Sequence, residues 1–79
     1  MRLDKYLKVS RIIKRRTIAN EVCDAKHVVV NGKPARASYD VKINDIIEIT
    51  MGSNRFKFQV LSVSEFATKE SALLMYKII

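Results

Sequence analysis

The chain has 79 residues, 48% of them hydrophobic, and a formal charge of +7 at neutral pH. This bounds it to one small domain that buries about 60 to 65% of the surface its unfolded chain exposes and leaves little depth for a pocket. With one cysteine and one histidine, neither an internal disulfide nor a zinc site can form, and with no apolar run near the roughly 18 to 20 residues of a membrane span and no signal-peptide core, we expect a cytoplasmic protein without cofactor or membrane partner.

Residues 2–16 hold seven of the fifteen Lys and Arg residues and one of the eight acids, so this stretch carries +6 of the +7. A charge block of this kind selects for a polyanion, because steering and counterion release both scale with the number of cations that face phosphates together. Leu3, Tyr6, Leu7, Val9, Ile12 and Ile13 are threaded through it, which makes it a folded element that presents charge. At 100° per residue, Leu3, Tyr6, Leu7 and Ser10 share one side of a first helix, and Arg2, Lys5, Lys8 and Arg11 lie around the other. Asp4 sits in the first turn, at the positive end of the helix dipole. It has two readings: an i,i+4 salt bridge to Lys8, or a role in orienting neighbouring basic side chains.

Ser10 to Lys14 reads as a break, with Ile12 and Ile13 interrupting any helical face. A second helix is predicted from Arg15 or Arg16 to Ala25, with Ile18, Ala19, Val22 and Cys23 as its apolar stripe. Cys23 on that stripe is a packing residue, since no base stands near it in the pattern. Arg15 and Arg16 open this helix, where free N–H groups also attract phosphate. Val28-Val29-Val30 is a strand, and Asn31-Gly32 is a hairpin turn because both residues tolerate positive φ. Lys33 to Ala37 is expected to return as a short edge strand marked by Pro34, and lone His27 to face solvent or cap, with no catalytic role.

Asn44-Asp45 makes a second turn, with Asp45 bonding local backbone. From Ile46 to Met51 the chain alternates, Ile47, Ile49 and Met51 on one face. Gly52-Ser53-Asn54 closes a hairpin into a strand from Arg55 to Val63, where Phe56, Phe58 and Val60 are assigned to the core. A parity shift at Leu61 and Val63 predicts a bulge or strong twist. Ser71 to Met75 reads as a helical turn, and Tyr76 to Ile79 as either a last strand or a packed tail.

Taken in order, Arg2-Leu3-Asp4-Lys5-Tyr6-Leu7, Arg16-Thr17-Ile18-Ala19, Val28-Val29-Val30-Asn31-Gly32-Lys33 and the Val41 to Ile46 turn with Asp45 resemble the S4 RNA-binding domain. The Lys14-Arg15-Arg16-Thr17 run and the segment from Glu70 to Tyr76 are most similar to its stand-alone ribosome-associated members, the RqcP-type factors of bacterial ribosome quality control and the related small heat-shock S4 protein. The resemblance implies an α+β S4 fold, two short N-terminal helices packed on a small twisted, mainly antiparallel sheet. The S4 domain would span residues 1–64, with 65–79 as an extension of the same unit.

We expect a monomer, and the resemblance further implies a non-catalytic factor that binds 23S rRNA and P-site tRNA on obstructed 50S subunits. There it would support C-terminal alanine tailing of stalled chains beside an RqcH-type elongating factor. The alternatives are a heat-shock-type factor that recycles 50S subunits carrying peptidyl-tRNA, and an accessory RNA-binding module of an RNA-modifying enzyme. Carried over by motif, the RNA-facing residues are Arg2, Asp4, Lys5, Lys8, Arg11, Lys14, Arg15 and Arg16, with Thr17 and Lys33 beside them. Two positions depart from the family pattern: Lys26 stands where a Gly usually ends the second helix, and Asn44 where a Gly usually precedes Asp45. If Lys26 takes positive φ, stability suffers by up to about 1 kcal/mol.

Overall fold

The computed structural model describes residues 1–79. Helices α1 (Leu3–Val9) and α2 (Arg16–Asp24) precede β1 (Val28–Val30), β2 (Lys33–Pro34), β3 (Ile46–Met51) and β4 (Asn54–Val60). A one-turn α3 (Lys69–Ala72) then leads into β5 (Tyr76–Ile78). The strands form one sheet in the order β2-β1-β3-β4-β5, antiparallel at every step.

One sheet face takes the helices and the other faces water, as the alternation in an antiparallel sheet allows. Leu3, Tyr6 and Leu7 of α1 and Ala19 and Cys23 of α2 meet Val28, Val30, Ile47, Ile49, Phe58 and Val60 in a single core. Phe58 lies between two tyrosines, stacked on Tyr6 at 6.5 Å and edge-on to Tyr76 at 5.6 Å. The buried Tyr6 hydroxyl donates to the Met75 carbonyl at 2.8 Å, which ties the first helix to the end of the sheet. Glu48 and Lys57 pair at 3.7 Å among exposed side chains.

The N-cap of α1 is Arg2, whose side chain makes no capping bond. The first N–H groups are therefore satisfied by the 37–41 loop, Leu3 donating to the Tyr39 carbonyl at 2.8 Å and Asp4 to that of Ala37 at 3.2 Å. The Met1 ammonium bonds Asp40 at 2.7 Å and fixes the same crossing. The break after α1 comes through Ser10 and then Arg11, which adopts φ 63°.

At the end of α2, Lys26 is left-handed at φ 66°. Its N–H donates to the Cys23 carbonyl and that of His27 to Val22, the paired bonds of a Schellman ending, made here without the usual Gly. Asn31 and Gly32 are both at positive φ, 52° and 85°, as a two-residue type I′ hairpin requires. Asp45, 8% exposed, is the acceptor that organises the later turn. It takes bonds from the Lys42 N–H, the Asn31 amide and the Tyr39 hydroxyl. Burial raises its pKa, but these donors outweigh burial and hold the carboxyl below its ordinary value.

Several expectations need correction. The β2 strand stops at Pro34 instead of Ala37, because the chain turns away so that the Ala37 N–H donates to Asp24 at 3.2 Å. The β4 strand ends at Val60, where the Leu61 and Ser62 N–H groups share the Met75 carbonyl; this two-for-one bonding absorbs the parity shift. Ile18, Met51 and Phe56 fall on apolar faces by spacing, yet they are 39%, 38% and 46% exposed. Met51 and Phe56 lie on the core side of the sheet, but near the β3–β4 turn, where burial no longer follows the alternation. Of the two readings of the final residues, strand or packed tail, the structure has the strand: Tyr76–Ile78 pairs with β4 as β5.

Lys26→Gly should raise stability by about 0.5 to 1 kcal/mol, because it removes the side-chain penalty of the left-handed region in excess of the added unfolded-state entropy. The urea midpoint should rise with an unchanged slope.

Candidate nucleic-acid interface

The helix pair is joined at its charged end by one carboxylate. Asp4 is only 2% exposed. Its Oδ1 accepts from Arg2 Nε at 3.1 Å and from the Lys5 N–H at 2.8 Å. Its Oδ2 accepts from Asn20 Nδ2 at 3.3 Å and lies 3.4 Å from Arg16 Nε. The side chains of Arg2 and Arg16 remain 51% and 49% exposed. One buried acid therefore holds two guanidinium groups in place while their outer faces stay open to solvent. Five donors per guanidinium leave several free for phosphate oxygens.

Burial pushes the Asp4 pKa up, but the hydrogen bonds from Arg2, Asn20, Arg16 and the Lys5 backbone outweigh it, and the carboxyl stays below its ordinary value. The partner expected from helical spacing, Lys8, is not used. Arg2, Arg16 and Asn20, two, twelve and sixteen residues away, take its place. Sequence reasoning missed Asn20, although it stands four residues after Arg16 and shares its helical face.

The remaining candidates occupy distinct places. Lys14 and Arg15 are exposed in the turn into α2, Arg15 as its N-cap, and Thr17 is exposed in the first turn. The α2 N-terminus carries no side-chain cap. Lys5 is drawn to Glu65 at 3.6 Å, and Lys8 and Arg11 line a groove against residues 65–68. Lys33 is separate from the Asp4 cluster: it lies on the sheet edge in a cleft with Arg36 and Tyr39. Arg36, exposed beside it, is a further cation that the weight placed on residues 2–16 concealed.

No group of three His, Cys, Asp or Glu side chains is placed to hold a metal. Cys23 is buried, and desolvation, with Asp4 and Asp24 nearby, pushes its thiol up to about 12, which leaves it unreactive. No helix is long and apolar enough to cross a membrane.

Comparison with known proteins places these features. The family model described as the S4 domain matches residues 1–47, so the fold and its cationic helix pair are those of an S4-domain protein. The chain is 53% identical over 79 residues to the RQC P-site tRNA stabilizing factor of Streptococcus pneumoniae, covering all of this chain and 90% of that one. It is 47% identical to the factor of the same name from Bacillus subtilis, covering 100% and 92%. Among solved structures, Heat Shock Protein 15 of Vibrio cholerae, described as trimeric, superposes with a TM-score of 0.92 at 26% identity, over 100% of this chain and 81% of that one. The chain belongs to the family of RQC P-site tRNA stabilizing factors.

Asp4→Asn should cost about 1 to 3 kcal/mol, because a charged acceptor with several buried donors is replaced by a neutral amide. The native Asp4 pKa lies below the unfolded one, so its contribution is present above about pH 4 and is lost as pH falls through the native value. Urea midpoints of the parent protein should therefore fall with acid below about pH 4, and more steeply than those of Asp4→Asn.

Proposed function

We propose that this protein is a non-catalytic, monomeric, cytoplasmic RNA-binding factor of bacterial ribosome quality control. It binds 23S rRNA and P-site tRNA on obstructed 50S subunits and supports C-terminal alanine tailing beside an RqcH-type elongating factor. The observation that carries this reading is the Asp4 cluster, which fixes Arg2 and Arg16 with their outer donors free. The names of the relatives, which span nearly the same length, supply the P-site tRNA.

Recognition works by backbone shape. Duplex RNA hides its major groove and displays phosphates and 2′-hydroxyls, so a rigid cationic face reads geometry with little base discrimination. Arg2 and Arg16 act as directional anchors, and Lys5, Lys8, Arg11, Lys14 and Arg15 extend the field, with Thr17 and Lys33 at its margins. A surface this small gains selectivity by touching two RNAs together, since the second contact is made at high effective concentration.

The likeness to Heat Shock Protein 15 supports a second reading, recycling of 50S subunits that carry peptidyl-tRNA. Alanine tails on stalled chains separate the two: deletion of the gene removes the tails under the first reading and leaves them under the second.

Arg16→Ala should abolish co-sedimentation with 50S subunits at physiological salt while the far-ultraviolet spectrum stays native. Arg2→Ala should weaken it, and Lys57→Ala, on the solvated sheet face, should leave it unchanged; equal losses at all three would mean diffuse charge attraction. If four to six phosphates are contacted, log K should fall with log salt at a slope of about −3 to −5.

A further inference from the structure

Phe66 is 87% exposed, yet the loop that carries it is fixed on both sides. Glu65 is held by Lys5, the Ser64 hydroxyl donates to the Phe66 carbonyl at 2.8 Å, and Ala67 packs against the core. Next in the chain, Thr68 and Ser71 cap α3 reciprocally: the Ser71 N–H donates to Thr68 Oγ1 at 3.1 Å and the Thr68 N–H to Ser71 Oγ at 2.8 Å. An anchored loop thus displays an aromatic ring to solvent with almost none of its surface buried.

The ring borders a groove of about 410 Å³ whose other side is formed by Lys8 and Arg11. Arg11 is itself the left-handed residue that follows α1 and its Ser10 C-cap. Five of its eight lining residues are polar or charged, with Thr68 and Ser71 beside the two cations, and Lys5 offsets the one acid. A flat ring facing two exposed cations across a groove matches an unpaired nucleotide, whose base stacks on the ring while its phosphates meet the charges.

We propose that Phe66 is a stacking platform for an unpaired RNA base, with Lys8 and Arg11 on the flanking phosphates. This rests on the RNA-binding reading above and adds to its backbone contacts a single-strand contact that favours looped over fully paired RNA.

The chain has no Trp, so Phe66→Trp supplies one fluorophore at the ring position. It should be titrated with an RNA hairpin that has an unpaired loop and with a blunt duplex of equal phosphate number. The hairpin should quench the emission and the duplex should not. Phe66→Ala should weaken hairpin binding about tenfold and leave duplex affinity and melting temperature unchanged, with Phe66→Trp binding as the parent does. If Phe66→Ala binds both RNAs like the parent while Arg16→Ala loses both, stacking is refuted and the RNA reading stands. Lost 50S association in Phe66→Ala, with no quench and no change on either RNA, would refute stacking in favour of a protein contact. Failure of the parent to bind either RNA would refute both readings.

Discussion

A carboxylate with almost no solvent contact joins the two helices at their charged end. Without Asp4, Arg2 and Arg16 would be two flexible cations on separate elements, each losing side-chain entropy on meeting a phosphate. With it, that entropy is already spent in folding, and the guanidinium groups stand at a spacing set by the α1–α2 packing. The acid also cancels part of the charge that would otherwise oppose bringing the two arginines together. Electrostatic economy and preorganisation thus come from one residue.

The sheet and the 37–41 loop serve that arrangement. Arg2 sits at the helix start, where its own backbone needs support, and the loop supplies the carbonyl acceptors that a Ser or Asp cap would otherwise replace. Asp45 anchors the loop from its far end through the Tyr39 hydroxyl and the Lys42 N–H, and Asn31 links the same acid to the first hairpin. The basic face therefore depends on two buried carboxylates, one under the helices and one under the turn that braces them. In both, hydrogen bonds outweigh burial and hold the carboxyl pKa below its ordinary value.

The elements were legible where local chemistry decides them. Asn31-Gly32 wrote its own turn, the β-branched Ile12-Ile13 pair marked the break between the helices, and the alternation through Ile47 and Ile49 gave the buried face. The cationic side of α1 followed from its spacing. The partners of Asp4 did not: spacing rules rank neighbours on one helix, while Arg16 and Asn20 come from the next, and only the packing angle brings them in. Likewise, alternation tells which way Phe56 and Met51 point but not where burial on that face ends. Phe66 belongs to no periodic pattern, so nothing in the sequence separated it from a core aromatic.

The Tyr6 hydroxyl meets the Met75 carbonyl across 69 positions of sequence. Contacts of such separation form late, because the chain between them must first be ordered. A nascent chain that has emerged only through β3 has the seven cations of residues 2–16 but lacks Phe58, on which Tyr6 stacks, and Met75, to which it donates. The cations of residues 2–16 are thus translated well before the residues that complete the core beneath them. On the RNA-binding reading proposed above, the cationic face has its full support only once the last strand has packed.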